Sequence, residues 1–356
     1  MPKQKSEPGF TLLELMVSIA VGLIVMGAML GLFKSGMNSA LFVTQRAETQ
    51  QNMRAGIDLM VKDISMAGAG LPSGGIQLPT GVGATVSKFG CDQAGVCHVP
   101  AHTYPTANYM YGIIPGFSNG VEANAVIPAA PAPAINDSIT IIYADYNFPL
   151  FEYNVAFVGG TSGGAITLTP NIIYSPAPPA VNSAGGIVVG DLIMLSNSVG
   201  TAVGEVTGVA AGGITFANLD ALNLNQTGAA SNNINAITAG ANTSAYRLFA
   251  VTYYLTVPAA GQTPRLMRQV NGLSPVPVAD DIINLQFAYD TYNSTTNALD
   301  ANQANPLGVA ESPNNIQKVN IVVMGQSIIN DGNKSQNLYL ATSVSARNMA
   351  FRNRYQ

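Results

Sequence analysis

Charge is scarce in this chain. Lys, Arg, Asp and Glu make up 10 % of its 356 residues, under half the usual share of about 25 %. Between Asp63 and Tyr246 the only basic residue is Lys88. That stretch has no basic patch with which to grip a phosphate backbone, so nucleic acid is excluded as its partner. Tryptophan is absent, and there are two cysteines and two histidines. Both histidines, His98 and His102, precede Gly160-Thr161-Ser162-Gly163-Gly164, the one stretch that satisfies the G-x-S-x-G pattern. A nucleophile elbow needs a strand–turn–helix and a later histidine. Here Ala165-Ile166-Thr167-Leu168-Thr169 reads as a strand, so the motif reads as a glycine-rich hairpin turn. Asp280-Asp281 are neighbours that a strand would send to opposite faces; a turn before a strand explains them. Asp331-Gly332-Asn333 is too short for a calcium loop. The chain is therefore expected to be no enzyme and to hold no cofactor.

What the chain has in abundance is one long apolar run, FTLLELMVSIAVGLIVMGAMLGLF, residues 10–33. About 20 apolar helical residues span the hydrocarbon core of a bilayer. The run exceeds the 7–15 apolar residues of a secretory signal peptide. Its single charge, Glu14, is costly in lipid unless paired. Lys3 and Lys5 precede the run and are expected to stay cytoplasmic, which places everything beyond Lys34 outside the inner membrane. The helical pattern continues over residues 34–70. Met53, Ile57, Met60, Val61 and Ile64 form an apolar stripe, with Arg54, Asp58 and Lys62 beside it. The whole helix, ending before Gly68-Ala69-Gly70-Leu71-Pro72, would be roughly 85 Å long. Gly22, Gly27, Gly31 and Gly36 lower its propensity while permitting close helix contact or local melting.

Downstream, the period changes to two. Residues 138–143, 165–169, 186–189 leading to 192–195, 202–206, 213–216, 246–257, 265–269, 283–290, 319–323 and 338–344 are predicted strands of an antiparallel sheet. Residues 218–244 and 291–314 are expected to be loops. In an oxidising periplasm Cys91 and Cys97 most simply form a small disulfide loop. The Cys-x5-Cys-His-x3-His arrangement is also a zinc site in principle, though its first spacing is not the common one.

Gly9-Phe10-Thr11-Leu12-Leu13-Glu14 resembles the processing site of type IV prepilins and pseudopilins. The resemblance implies that prepilin peptidase cuts between Gly9 and Phe10 and that Phe10 is methylated. It also implies that Glu14 meets the N-terminal amine of a neighbouring subunit during assembly. Four later stretches resemble the PilW-type minor pilins and the related J pseudopilins of type II secretion. They are Ile57-Asp58-Leu59-Met60-Val61-Lys62-Asp63-Ile64 before a glycine break, Leu266-Met267-Arg268-Gln269, residues 282–289, and Ser343-Val344-Ser345-Ala346-Arg347-Asn348. Residues 71–245 match little in that family and read as an insertion or second lobe. The expected fold is α+β: a long N-terminal helix, transmembrane in its first half, packed by its second half on a large antiparallel β-sheet domain. The expected division is a cleaved leader (1–9), an assembly helix (10–33), its amphipathic continuation (34–70) and a β-rich domain (71–356). The implied partners are prepilin peptidase, other minor pilins, the major pilin and inner-membrane lipid, in a pilus serving adhesion and twitching motility. A pseudopilus tip subunit and a membrane-anchored ligand-binding module are the alternatives.

Overall fold

The computed structural model describes residues 9–81, 84–98, 109–118, 136–158, 164–181, 186–226, 231–259, 262–306, 312–329 and 334–352. Lys3, Lys5, His102, residues 160–163, residues 331–333 and Arg354 lie outside them. Helix α1 (Leu12–Met66) is unbroken, as expected of a run without proline. The glycines at 22, 27, 31 and 36 do not interrupt it in the isolated chain. Thr11 caps its start, and Gly68 and Gly70, both at positive φ, turn the chain away at its end.

The strands follow in order: β1 (Ile76–Gln77), β2 (Tyr109–Met110), β3 (Ile113–Gly116), β4 (Ser138–Asp145), β5 (Tyr153–Phe157) and β6 (Ala165–Pro170). Next come β7 (Leu192–Ser196), β8 (Thr201–Glu205), β9 (Gly208–Ala210), β10 (Gly213–Thr215), β11 (Ser244–Thr256) and β12 (Arg265–Val270). The last are β13 (Val276–Ala279), β14 (Ile282–Asn293), β15 (Ala298–Gln303), β16 (Ile316–Ile329) and β17 (Lys334–Ser345), before a short helix α2 (Arg347–Arg352).

The main sheet runs β13-β12-β11-β4-β3, with β7 and β8 attached through β11. One edge of β11 pairs with β7 over its first residues and with β12 over its last. Asn271 fills the gap between them: its amide accepts from Ala250 N (2.7 Å) and donates to Leu248 O (3.0 Å). A second sheet runs β15-β14-β16-β17 and faces the first. The second half of α1 is wedged between the two. Met53, Ile57, Met60 and Ile64 are buried in the core that both sheets share, the i, i+3/i+4 face that the sequence pattern predicts. The opposite face of the main sheet is covered by Leu71, Ile76, Leu78, Phe89, Leu222 and Leu224. A third, smaller sheet, β5-β6-β10-β9, closes a separate core over β7 and β8. The α+β class is as expected from the sequence.

Several local expectations are corrected. Residues 218–244 are not simply a surface loop. Leu222, Leu224, Ile234 and Ile237 are buried, and buried Asn225 and Asn233 satisfy the backbone that accompanies them. Residues 291–314 contain a hairpin: β14 continues to Asn293 and β15 returns after a turn in which Asn293 accepts from Thr295 N. Residues 186–189 are not a strand, because a turn here is held by Asp191, which accepts from Val188 N. Asp280 and Asp281 do sit at a turn, with Asp281 at φ +60°. Near the end of the described residues, Met349 is buried in the main core.

Candidate functional site in the N-terminal arm

Residues 12–37 of α1 are exposed throughout, and the first half-buried residue of the helix is Asn38. These 26 residues project about 39 Å at 1.5 Å per residue, enough to cross a hydrocarbon core. Among the described residues, α1 is the one helix long and apolar enough to cross a membrane.

The tip of the arm is built around Glu14. Thr11 Oγ1 accepts from Glu14 N (3.3 Å), while Glu14 Oε2 accepts from Thr11 N and Thr11 Oγ1, both at 3.0 Å. This reciprocal capping box satisfies donors that a helix start otherwise leaves unpaired. Gly9 and Phe10 lie just outside the helix, and Phe10 is 90 % exposed. A side chain at Gly9 would meet no atom of the body, and the same holds at Gly22, Gly27, Gly31 and Gly36. The fold of the single chain therefore supplies no steric reason for these glycines.

At the other end, α1 is held by a buried ionic cluster. Asp63 is 3 % exposed. It accepts from Tyr253 Oη (2.6 Å), Arg268 Nε (2.9 Å) and Tyr143 Oη (3.0 Å). Burial, then the Asp63 charge, pushes both tyrosine hydroxyls well above their ordinary range, so both stay protonated as donors. Burial alone would lower Arg268; its hydrogen bond and charge pairing with Asp63 outweigh that and hold it above its ordinary value. Sequence reading placed Asp63 in a family-like stretch without a role. Its partners lie 80, 190 and 205 residues away, and no local pattern reveals them.

Cys91 and Cys97 are joined as a disulfide. Their sulfurs are thus not free as zinc ligands, and no cluster of three or more metal-ligating side chains occurs among the described residues. Asp92 organises the loop, accepting from Ala94 N and Val96 N at 3.0 Å each and contacting His98 Nε2 at 3.0 Å. Gln93 N donates to Gly272 O (2.9 Å), tying the loop to the turn after β12.

A buried carboxyl pair was also not legible. Glu205 accepts from Leu222 N (3.1 Å), and Asp220 from Leu224 N (2.8 Å) and Asn225 N (2.9 Å). Burial, then the neighbouring Asp220 charge, pushes Glu205 up to about 8. Burial raises Asp220 as well. The pair pins residues 220–225 to the end of β8 and is adequately explained as a structural staple.

A family model described as the prokaryotic N-terminal methylation motif matches residues 4–30. No curated protein and no solved structure gives a match. The matched motif indicates a type IV pilin-like or pseudopilin chain. It implies processing by prepilin peptidase and assembly with other pilins, and with α1 it supports anchoring in a membrane. It also suggests a structural rather than enzymatic role.

Proposed function

We propose that this chain is a minor pilin of the PilW type, which helps prime assembly of a type IV pilus or caps its tip. The observation that carries the reading is the arm: 26 exposed residues, whose apolar run to Phe33 carries a single charge, Glu14, placed four residues after Phe10. Removal of residues 1–9 frees a positively charged amine on Phe10. In lipid that amine and the Glu14 carboxylate are each costly alone. The Glu14 of one subunit and the Phe10 amine of another therefore form the cheapest pair when arms pack side by side. With Lys3 and Lys5 retained in the cytoplasm, the β-rich body lies in the periplasm and moves outward with the filament. The body's size and its loops distinguish it from a bare anchor.

Mass analysis of the N-terminus of the membrane-extracted protein, with Glu14→Ala alongside wild type, tests this. Both should begin at methylated Phe10, and Glu14→Ala should be inserted and cleaved but absent from co-purified pilins. An intact Met1 turns the chain into a plain anchor; normal assembly of Glu14→Ala removes the role given to Glu14. In a clean deletion strain, loss of pili with secretion intact is expected. Intact pili with a lost set of secreted proteins would assign the chain to a pseudopilus. Survival of both would favour a ligand-binding module.

A further inference from the structure

Strand β17 is an edge strand of unusual length. Among the described residues, its twelve are the outermost of the β15-β14-β16-β17 sheet. The other edge strands among the described residues are six residues or shorter, and β3 and β13 also carry a proline, Pro115 and Pro277. Proteins commonly blunt their sheet edges with brevity, proline, charge or bulges. β17 has none of these after Lys334: residues 335–346 carry no charge and no proline, and its pairing with β16 is continuous.

The register shows what the edge offers. Ala346 N donates to Gln317 O at 2.8 Å, so the backbone of residue 346 points toward β16. In an antiparallel ladder the direction alternates. The N–H and C=O groups of Asn337, Tyr339, Ala341, Ser343 and Ser345 therefore point away from the sheet. Leu338 and Leu340 face the core yet are only half-buried, which marks a core left open on this flank.

We infer that the free edge of β17 accepts an extended, uncharged strand from a neighbouring pilin-like subunit, by β-strand addition. The ladder specifies the ligand as backbone in extended form. The absence of charge over residues 335–346 specifies neutral side chains opposite. Position specifies the source. β16 and β17 pack directly on α1 at the base of the arm, where Gly325 lies against Thr49 and Met53. A subunit whose own arm packs along α1 brings its body beside this edge. The inference rests on the assembly role proposed above.

The test uses full-length variants expressed in a strain lacking the native chain, with sheared filaments analysed for their content of this chain. Ala341→Pro removes one outward N–H and leaves the β16–β17 ladder intact. Val322→Lys places a charge on the exposed sheet face directly across the ladder from Ala341 and controls for docking by the face. Ala341→Pro should be processed and reach the membrane at wild-type level yet fall at least tenfold in filaments, while Val322→Lys should be retained. Incorporation of Ala341→Pro at wild-type level overturns the inference, as does equal loss of both variants. Should Ala341→Pro fail to fold, hydrogen exchange on the wild-type chain decides. Amides of Tyr339, Ala341 and Ser343 should exchange at least tenfold more slowly in filaments than in detergent, and equal rates overturn the inference. Absence of the wild-type chain from filaments overturns the assembly reading itself and, with it, the occupant named here.

Discussion

Replacing Asp63 by alanine should loosen α1 from the body at a cost that its surroundings define. The substitution leaves Arg268, 21 % exposed at its side chain, without the anion that holds it. It also strips an acceptor from Tyr143 and Tyr253. Breaking a buried ion pair by removing one partner typically costs about 3–5 kcal/mol. Partial access of water to Arg268 moves the expectation toward the lower end, and the two hydroxyls that lose their acceptor move it back. Against a total stability of roughly 5–15 kcal/mol, a loss of about 3–5 kcal/mol is a large fraction. It should lower the thermal midpoint by roughly 5–10 °C. The chain has 14 tyrosines and no tryptophan, so near-ultraviolet circular dichroism of the full-length protein in detergent reports tyrosine packing, including Tyr143 and Tyr253. The double variant Asp63→Ala with Arg268→Met should recover part of the loss, since it removes the stranded charge together with its partner. A loss below about 1 kcal/mol for Asp63→Ala, or strict additivity in the double variant, would refute the view that this cluster locks the helix.

Two further outcomes follow from the packing. Glu205, pushed up to about 8, keeps a proton in the folded state that the unfolded chain releases near 4.5. Its contribution to stability is therefore full below about 4.5 and lost as pH rises through about 8. The difference in midpoint between wild type and Glu205→Gln should change across that window, and parallel curves would refute the assignment. Gly325→Ala would place a Cβ 2.7 Å from Met53 Sδ and 2.8 Å from Thr49 Cγ2, two side chains buried against β16. Overpacking of about 1–3 kcal/mol should exceed the gain of up to about 1 kcal/mol from replacing a strand glycine. The net loss should appear as a lower denaturant midpoint, and a higher one would show that α1 can shift.

The apolar run, the breaker at Gly68-Ala69-Gly70 and the stripe Met53, Ile57, Met60 and Ile64 were legible because each is written in consecutive residues at a fixed period. So were the strands rich in β-branched and aromatic residues, such as β4 and β14. The rest depends on distant partners. Residues 218–244 read as a loop because Leu222 and Leu224 are interleaved with asparagines. The side chains of Asp220 and Asn225 replace the strand hydrogen bonds that burial would otherwise demand. β13 carries a proline that argues against a central strand, and it is in fact an edge. The β14–β15 hairpin turns on Asn297 at φ +51°, a left-handed conformation that asparagine tolerates and that does not mark itself in a polar stretch. Of the arm, Glu14 was legible as an anomaly, a lone charge in an apolar run. Its capping box with Thr11 is the local structure that holds the carboxylate at the tip.

The two ends of α1 impose opposite demands on one element. Among the described residues the arm has almost no partner. Its apolar side chains are exposed from residue 12 to residue 37, and such a surface is stable only in lipid or against other helices. The second half is fixed by burial on both sheets and by Asp63. Because α1 contains no proline and is continuous between these regions, whatever orients the arm also orients the body. A subunit packed along the arm therefore meets the body at a definite height, the level at which Thr49 and Met53 lie against Gly325 of β16. In the proposed assembly the rigidity of α1 thus supplies the register, and Glu14 sets the depth of the arm. The open edge of β17 is where that register would be read by backbone pairing.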